Sequence, residues 1–236
     1  MARDLASDDV DEARLRAALV PAGRRLRASG LIAAGEGNLS IRLPGERLLV
    51  TPTGRRKDEL AADDLVVVDM AAGAPGESAS GLRPTSDLSI HRAVLASRRD
   101  AGAVAHAHLP ATMALTLAGE APDPKALPET ALFLPRLSVL PFGEPGSNDL
   151  ARRVAAALVE PPEPYPGAVI LERHGAVAVG DATDSAGLAS EWPTERAIAA
   201  LNQAVDRLEL IEVLARAWRD MILLRAARAG GYPSER

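Results

Sequence analysis

The chain has 236 residues, enough for one well-filled core, with 47% hydrophobic and 25% charged residues and a formal net charge of −5. No basic stripe stands out, which argues against a nucleic-acid partner, and the absence of cysteine excludes disulfides, thiolate metal ligands and cysteine nucleophiles. The acidic residues 1–11 lack the apolar segment of a secretory signal, and no apolar run approaches the ~18 residues of a membrane span, so a cytoplasmic protein is expected.

Residues 9–29 read as an amphipathic helix, with Leu15, Ala18, Leu19, Ala22 and Leu26 on one face and Gly30 as its stop. Residues 38–42 and 47–51 read as strands paired across Pro44-Gly45, and Leu65 to Asp69 as a third. A Gly/Ser/Pro loop from Gly73 to Pro84 leads to a helix at 87–98, capped by Ser86 with Asp87 in its first turn. Strand 102–107 and a helix from Pro110 to Leu117 follow, then an irregular Pro-rich stretch at 119–136. Strand 137–141, a helix at 148–159 and strands 167–172 and 176–179 come next, and residues 184–229 are mostly helical. Helices alternate with strands that include hairpins, which predicts an α/β fold with helices on the faces of a mixed sheet. The organisation expected is a flexible segment 1–11, a single domain 12–229 and a tail 230–236.

Three of the four histidines sit in two phrases, Ala105-His106-Ala107-His108 and Arg173-His174-Gly175. On a strand, side chains at i and i+2 point the same way, so His106 and His108 offer two imidazoles to one point. His174 from another strand end completes a three-nitrogen site with an open coordination position. Asp87 either satisfies the helix dipole or, beside a dication, serves as a base. His91, four residues on, reads as a structural or supporting group rather than a ligand. The turns Gly35 to Ser40, Thr51 to Gly54 and Pro84 to Asp87 present backbone N–H groups and small hydroxyls suited to a phosphate. Of the 27 basic residues only Lys57 and Lys125 are lysines, and both sit in polar loop contexts, poor places for a Schiff-base amine.

Taken in order, Gly37-Asn38-x-Ser40, Thr51-Pro-Thr-Gly54, Thr85-Ser86-Asp87 with His91, His106-x-His108 and His174-Gly175 resemble the class II aldolase/adducin family, over about residues 12–220. The resemblance implies a three-layer α/β/α sandwich with a central mixed, largely antiparallel sheet. It implies Zn2+, or another dication such as Mn2+ or Co2+, on His106, His108 and His174, with Asp87 as the catalytic acid/base. It implies phosphate contacts from Gly37, Asn38, Thr53, Gly54, Thr85 and Ser86, and a homotetramer with sites at subunit interfaces. Three neutral imidazoles leave the ion's charge uncompensated, so it can chelate a ketose and stabilise an enediolate.

Family aldolases carry Glu where this chain has Asp87, whereas family 4-epimerases carry Asp. The epimerases also have a further acid after the H-x-H strand, and Glu129 is the nearest here. Extra residues at 187–194 distinguish this chain from aldolase-like relatives, and Tyr232 in the tail is a remote candidate proton donor. The expected function is a metal-dependent aldehyde-lyase on a small phosphorylated ketose. The alternatives are a sugar-phosphate 4-epimerase or related dehydratase on the same site, and an adducin-like module without catalysis.

Overall fold

Strict alternation in the strands decides the layering. In a computed structural model, residues 10–71, 80–162, 164–181 and 193–229 are described. They form β1 (Asn38–Leu43), β2 (Arg47–Val50), β3 (Val66–Asp69), β4 (Ala101–Ala107), β5 (Leu137–Leu140), β6 (Ala168–Leu171) and β7 (Gly175–Asp181). The helices are α1 (Glu12–Ala28), α2 (Leu88–Ser97), α3 (Pro110–Leu117), α4 (Pro128–Phe133), α5 (Asn148–Leu158) and α6 (Thr194–Ala229). The sheet order is β3-β2-β1-β4-β7-β6-β5. Every neighbouring pair is antiparallel except β5 with β6, which α5 connects as a parallel crossover.

Along β7, Ala176 and Ala178 join the core shared with α1 and α6, while Val177 and Val179 join the core shared with α2 and α5. The same period of two sends Leu39, Ile41 and Leu43 of β1 towards α1 and α6. It therefore leaves Asn38 and Ser40 on the α2 side, together with Arg42, whose guanidinium donates to the Ala101 and Arg98 carbonyls. The result is the three-layer α/β/α sandwich with a largely antiparallel mixed sheet. Small residues bring α6 close to the sheet. A Cβ on Gly180 would lie 1.7 Å from the Ala200 carbonyl oxygen, so only glycine permits that approach.

The element boundaries differ from expectation in places. The first helix starts at Glu12, where the Asp11 side chain accepts from the Arg14 N–H at 3.1 Å. The stretch 119–136 is not wholly irregular, because Pro128 opens the short helix α4, pinned by the buried Thr130 hydroxyl donating to the Pro124 carbonyl at 2.6 Å. The extra residues up to Trp192, the Gly73–Pro84 loop for the most part, and Tyr232 lie outside the described residues. Among the described residues, no helix is long and apolar enough to cross a membrane.

The helix that follows the H-x-H phrase is capped from far along the chain. No side chain of its own caps α3, but Glu212 of α6, buried, accepts from the Ala111 and Thr112 N–H groups and the Thr112 hydroxyl at 2.9–3.2 Å. Arg216 neutralises the same carboxylate at 3.1 Å. Replacing Glu212 by alanine strands three buried donors, and is expected to lower the unfolding free energy by about 3 kcal/mol in urea titrations. A loss below ~1 kcal/mol would show that α3 holds its place without this cap.

Candidate metal centre

Asn38 and His106 are direct partners across β1 and β4, and β4 delivers His106 to the α2 side of the sheet. His108 sits one residue beyond the end of β4 rather than on the strand itself, with its N–H donating to the Leu31 carbonyl at 3.1 Å. His174 comes from the tight β6–β7 turn, where Arg173 takes φ +61°, an uncommon conformation for a non-glycine residue. Gly175 (φ +128°) makes the convergence possible. A Cβ there would sit 2.0 Å from the Ala107 carbonyl oxygen, so glycine lets the turn press against the strand that carries His106 and His108.

The three rings form a near-equilateral triangle, with centroids 5.0, 4.8 and 5.0 Å apart. One candidate ligand atom from each lies within 4.8 Å of the others. The His106 Nδ1–H donates to the Ala176 carbonyl at 2.9 Å, so its Nε2 carries the lone pair. That Nε2 and the Nδ1 of His174 are buried without a partner among the described residues. Buried ring nitrogens left unpaired in such a triangle are what a cation would satisfy. His108 is backed by Glu36, with Nδ1 and Oε1 3.5 Å apart. Burial, reinforced by the neighbouring imidazoles, pushes His106 down to about 3, and burial likewise lowers His174. Both rings are neutral at pH 7, the form that binds metal.

Asp87 lies beside this triangle, its Oδ2 3.9 Å from His106 Nε2. The sequence reading of Asp87 as a first-turn residue behind a Ser86 cap is corrected here. The helix begins at Leu88, Asp87 occupies the N-cap position, and its side chain caps nothing. It turns instead to Asn38, whose Nδ2 donates to Oδ2 at 2.8 Å, because the buried polar face of β1 offers a better donor. Burial pushes the Asp87 carboxyl up, but the imidazoles around it and the Asn38 amide outweigh this and hold it below its ordinary value. His91 lies under Asp87 as a supporting group. It is fully buried, which lowers it to about 4, and it contacts Asn38 and Ser40 rather than the triangle.

An open cavity of about 310 Å³ lies in front of these groups. Gly37, Asn38, Thr53, Gly54, Thr85 and Ser86 all line it, together with Asp87, His108 and His174. A bridge between Pro52 and Pro84 and hydrogen bonds from Thr53 N to Arg83 O and from Thr85 N to Thr51 O clamp two of the turns side by side. Lys57 was missed as a site residue. It does not stand in open polar loop but is buried in the cavity wall, its Nζ donating to the carbonyls of Gly35 and Arg55 at 2.6 and 2.7 Å. Burial brings it down to about 8. Its one sequence signal is that it is a lysine in a chain that otherwise uses arginine almost throughout. Glu129, exposed in the first turn of α4, is not part of the cavity lining.

The class II aldolase and adducin N-terminal domain profile matches residues 17–218. The chain belongs to the class II aldolase/adducin family. It is 32% identical over 167 residues to the 5-methylthioribulose-1-phosphate/5-deoxyribulose-1-phosphate aldolase of Rhodospirillum rubrum, covering 70% of this chain and 71% of that protein. It is 33% identical over 192 residues to the 3-oxo-tetronate 4-phosphate decarboxylase of Cupriavidus necator, covering 79% and 83%. The crystal structure of L-fuculose-1-phosphate aldolase from Thermus thermophilus superposes with a TM-score of 0.73 at 29% identity, covering 94% of this chain and all of that one. This chain is thus an enzyme, a metal-dependent lyase of the class II aldolase/adducin family.

Proposed function

We propose that this class II aldolase/adducin member is an aldehyde-lyase that breaks or forms a carbon–carbon bond in a small phosphorylated ketose. The observation that carries the reading is the triangle of imidazoles beside Asp87 at the floor of a cavity walled by small-residue turns. His106, His108 and His174 would hold a divalent ion, Zn2+ or a similar dication such as Mn2+ or Co2+. Bound there, such an ion supplies a Lewis acid that polarises a carbonyl. Asp87 takes and returns the substrate proton, its Oδ2 fixed by Asn38 and its other oxygen available to the cavity. Gly37, Thr53, Gly54, Thr85 and Ser86 bind and orient the phosphate, so that the reacting carbon arrives close to the carboxylate. The phosphorylated substrates in the names of two relatives support a phosphate-bearing substrate. A homotetramer in the cytoplasm, with residues 12–229 as its one catalytic domain, completes the reading.

A dehydratase or 4-epimerase on the same site is the second reading. Asp87, one methylene shorter than glutamate, favours it, as does 34% identity over 173 residues to the methylthioribulose-1-phosphate dehydratase of Acidiphilium cryptum. Incubating the metal-loaded enzyme with a panel of phosphorylated ketoses and analysing products by mass tests both. Aldol cleavage yields a three-carbon ketone phosphate and an aldehyde, dehydration a product lighter by one water, and epimerisation an isomer of unchanged mass. Turnover of none of them would place the substrate outside the phosphorylated ketoses. Equal turnover of the free sugars would remove the phosphate from the reading.

A further inference from the structure

We propose that Ser40, His91 and Asn38 form a one-way hydrogen-bond chain that positions the Asp87 carboxylate. The inference rests on the reading of Asp87 as the base. Three contacts make the chain: Ser40 Oγ to His91 Nδ1 at 2.7 Å, His91 Nε2 to Asn38 Oδ1 at 2.6 Å, and Asn38 Nδ2 to Asp87 Oδ2 at 2.8 Å. All four side chains are buried.

With His91 neutral, the chemistry allows one direction only. An ionised carboxylate accepts and never donates, so Asn38 must turn its NH2 to Asp87. Its carbonyl then faces His91, which must donate from Nε2. The His91 Nδ1 is left with a lone pair and must accept the Ser40 hydroxyl proton. Each group thereby fixes the orientation of the next, from a hydroxyl on β1 to the carboxylate at the cavity.

The fold explains why these four meet. Asn38 and Ser40 share the α2-facing side of β1, and His91 lies four residues along α2 from Asp87. With its oxygen on His91 and one N–H on Asp87, the Asn38 amide is held at both ends of the chain, and its second N–H is left over at the cavity wall. Ser40, His91 and Asn38 are positioning residues, since only Asp87 among the four would touch the reacting atoms.

Two measurements test this. In 15N-labelled protein, free of metal and loaded with Zn2+, His91 is expected as the neutral tautomer protonated at Nε2. The Nδ1–H tautomer or an imidazolium at neutral pH would overturn the chain, and neither readout depends on turnover. The second measurement follows deuterium exchange into dihydroxyacetone phosphate in heavy water, with inorganic phosphate as a competing anion. Asn38→Ala is expected to slow maximal exchange by about 10- to 100-fold through misplacement of the carboxylate. Metal content should stay the same, and maximal exchange should fall by a larger factor than the phosphate inhibition constant rises. Weakened phosphate inhibition with unchanged maximal exchange would assign the amide to the phosphate and overturn the proposal. Wild-type protein that exchanges no deuterium would instead overturn the aldolase reading, and the tautomer would still decide the chain.

Discussion

Asp87→Asn is expected to retain its metal and to lose about 10³-fold in turnover, equivalent to about 4 kcal/mol of transition-state stabilisation. The substitution is isosteric. The new amide can still turn its oxygen to the Asn38 Nδ2 that now lies 2.8 Å from Oδ2, so the pocket should keep its shape. What disappears is the ability to accept a proton, because the NH2 group then faces the cavity. Deuterium exchange into dihydroxyacetone phosphate reads this step directly, since the base must remove a carbon-bound proton of the ketone. Exchange in the wild type that vanishes in Asp87→Asn supports the aldolase assignment. Exchange that survives in Asp87→Asn would place the base elsewhere. No exchange in the wild type, with interconversion of 4-epimeric pentulose phosphates, would overturn the aldolase in favour of the epimerase. Geometry gives that outcome a physical route: a carboxylate one methylene shorter than glutamate reaches less far, and positions matter at the ~1 Å level.

The parts legible in the sequence are those that depend on local periodicity. A period of two predicts that His106 and His108 point the same way, and His108 keeps that place although it lies one residue beyond the end of β4. The misses concern contacts between residues far apart in sequence. Nothing near Pro110 says that its helix is capped by Glu212, about a hundred residues away. The Lys57 neighbourhood is charged, so pattern alone assigns it to solvent, while the turn at Gly35 folds over it and buries it. Asp87 was placed in a helix's first turn because an acid there satisfies the dipole. The buried amide of Asn38, 49 residues earlier, outcompetes that role. The site is therefore written in short motifs, and the network that supports it is written in the topology.

The second large effect concerns the metal. Purified protein is expected to bind about one divalent ion per chain, as a three-imidazole site would. Three imidazoles whose candidate ligand atoms already lie within 4.8 Å of one another need little rearrangement to receive it, and the His106 Nδ1–H bond to Ala176 leaves the lone pair on Nε2. Because the ion binds the folded chain, adding it should raise the melting temperature, with a gain of about 4 kcal/mol when free metal is 1,000-fold above its dissociation constant. His106→Ala, His108→Ala and His174→Ala each remove one of three ligands. Each should weaken binding by more than the roughly 10- to 100-fold typical of losing an outer-shell partner, and should abolish the thermal shift and turnover together. Glu36→Gln perturbs only the group 3.5 Å behind His108 and should fall within that outer-shell range. Elemental analysis and thermal denaturation across a metal titration decide the matter. Full occupancy in His174→Ala would mean that the β6–β7 turn is not part of the centre, and that the ion, if bound, rests on His106 and His108 with some other group.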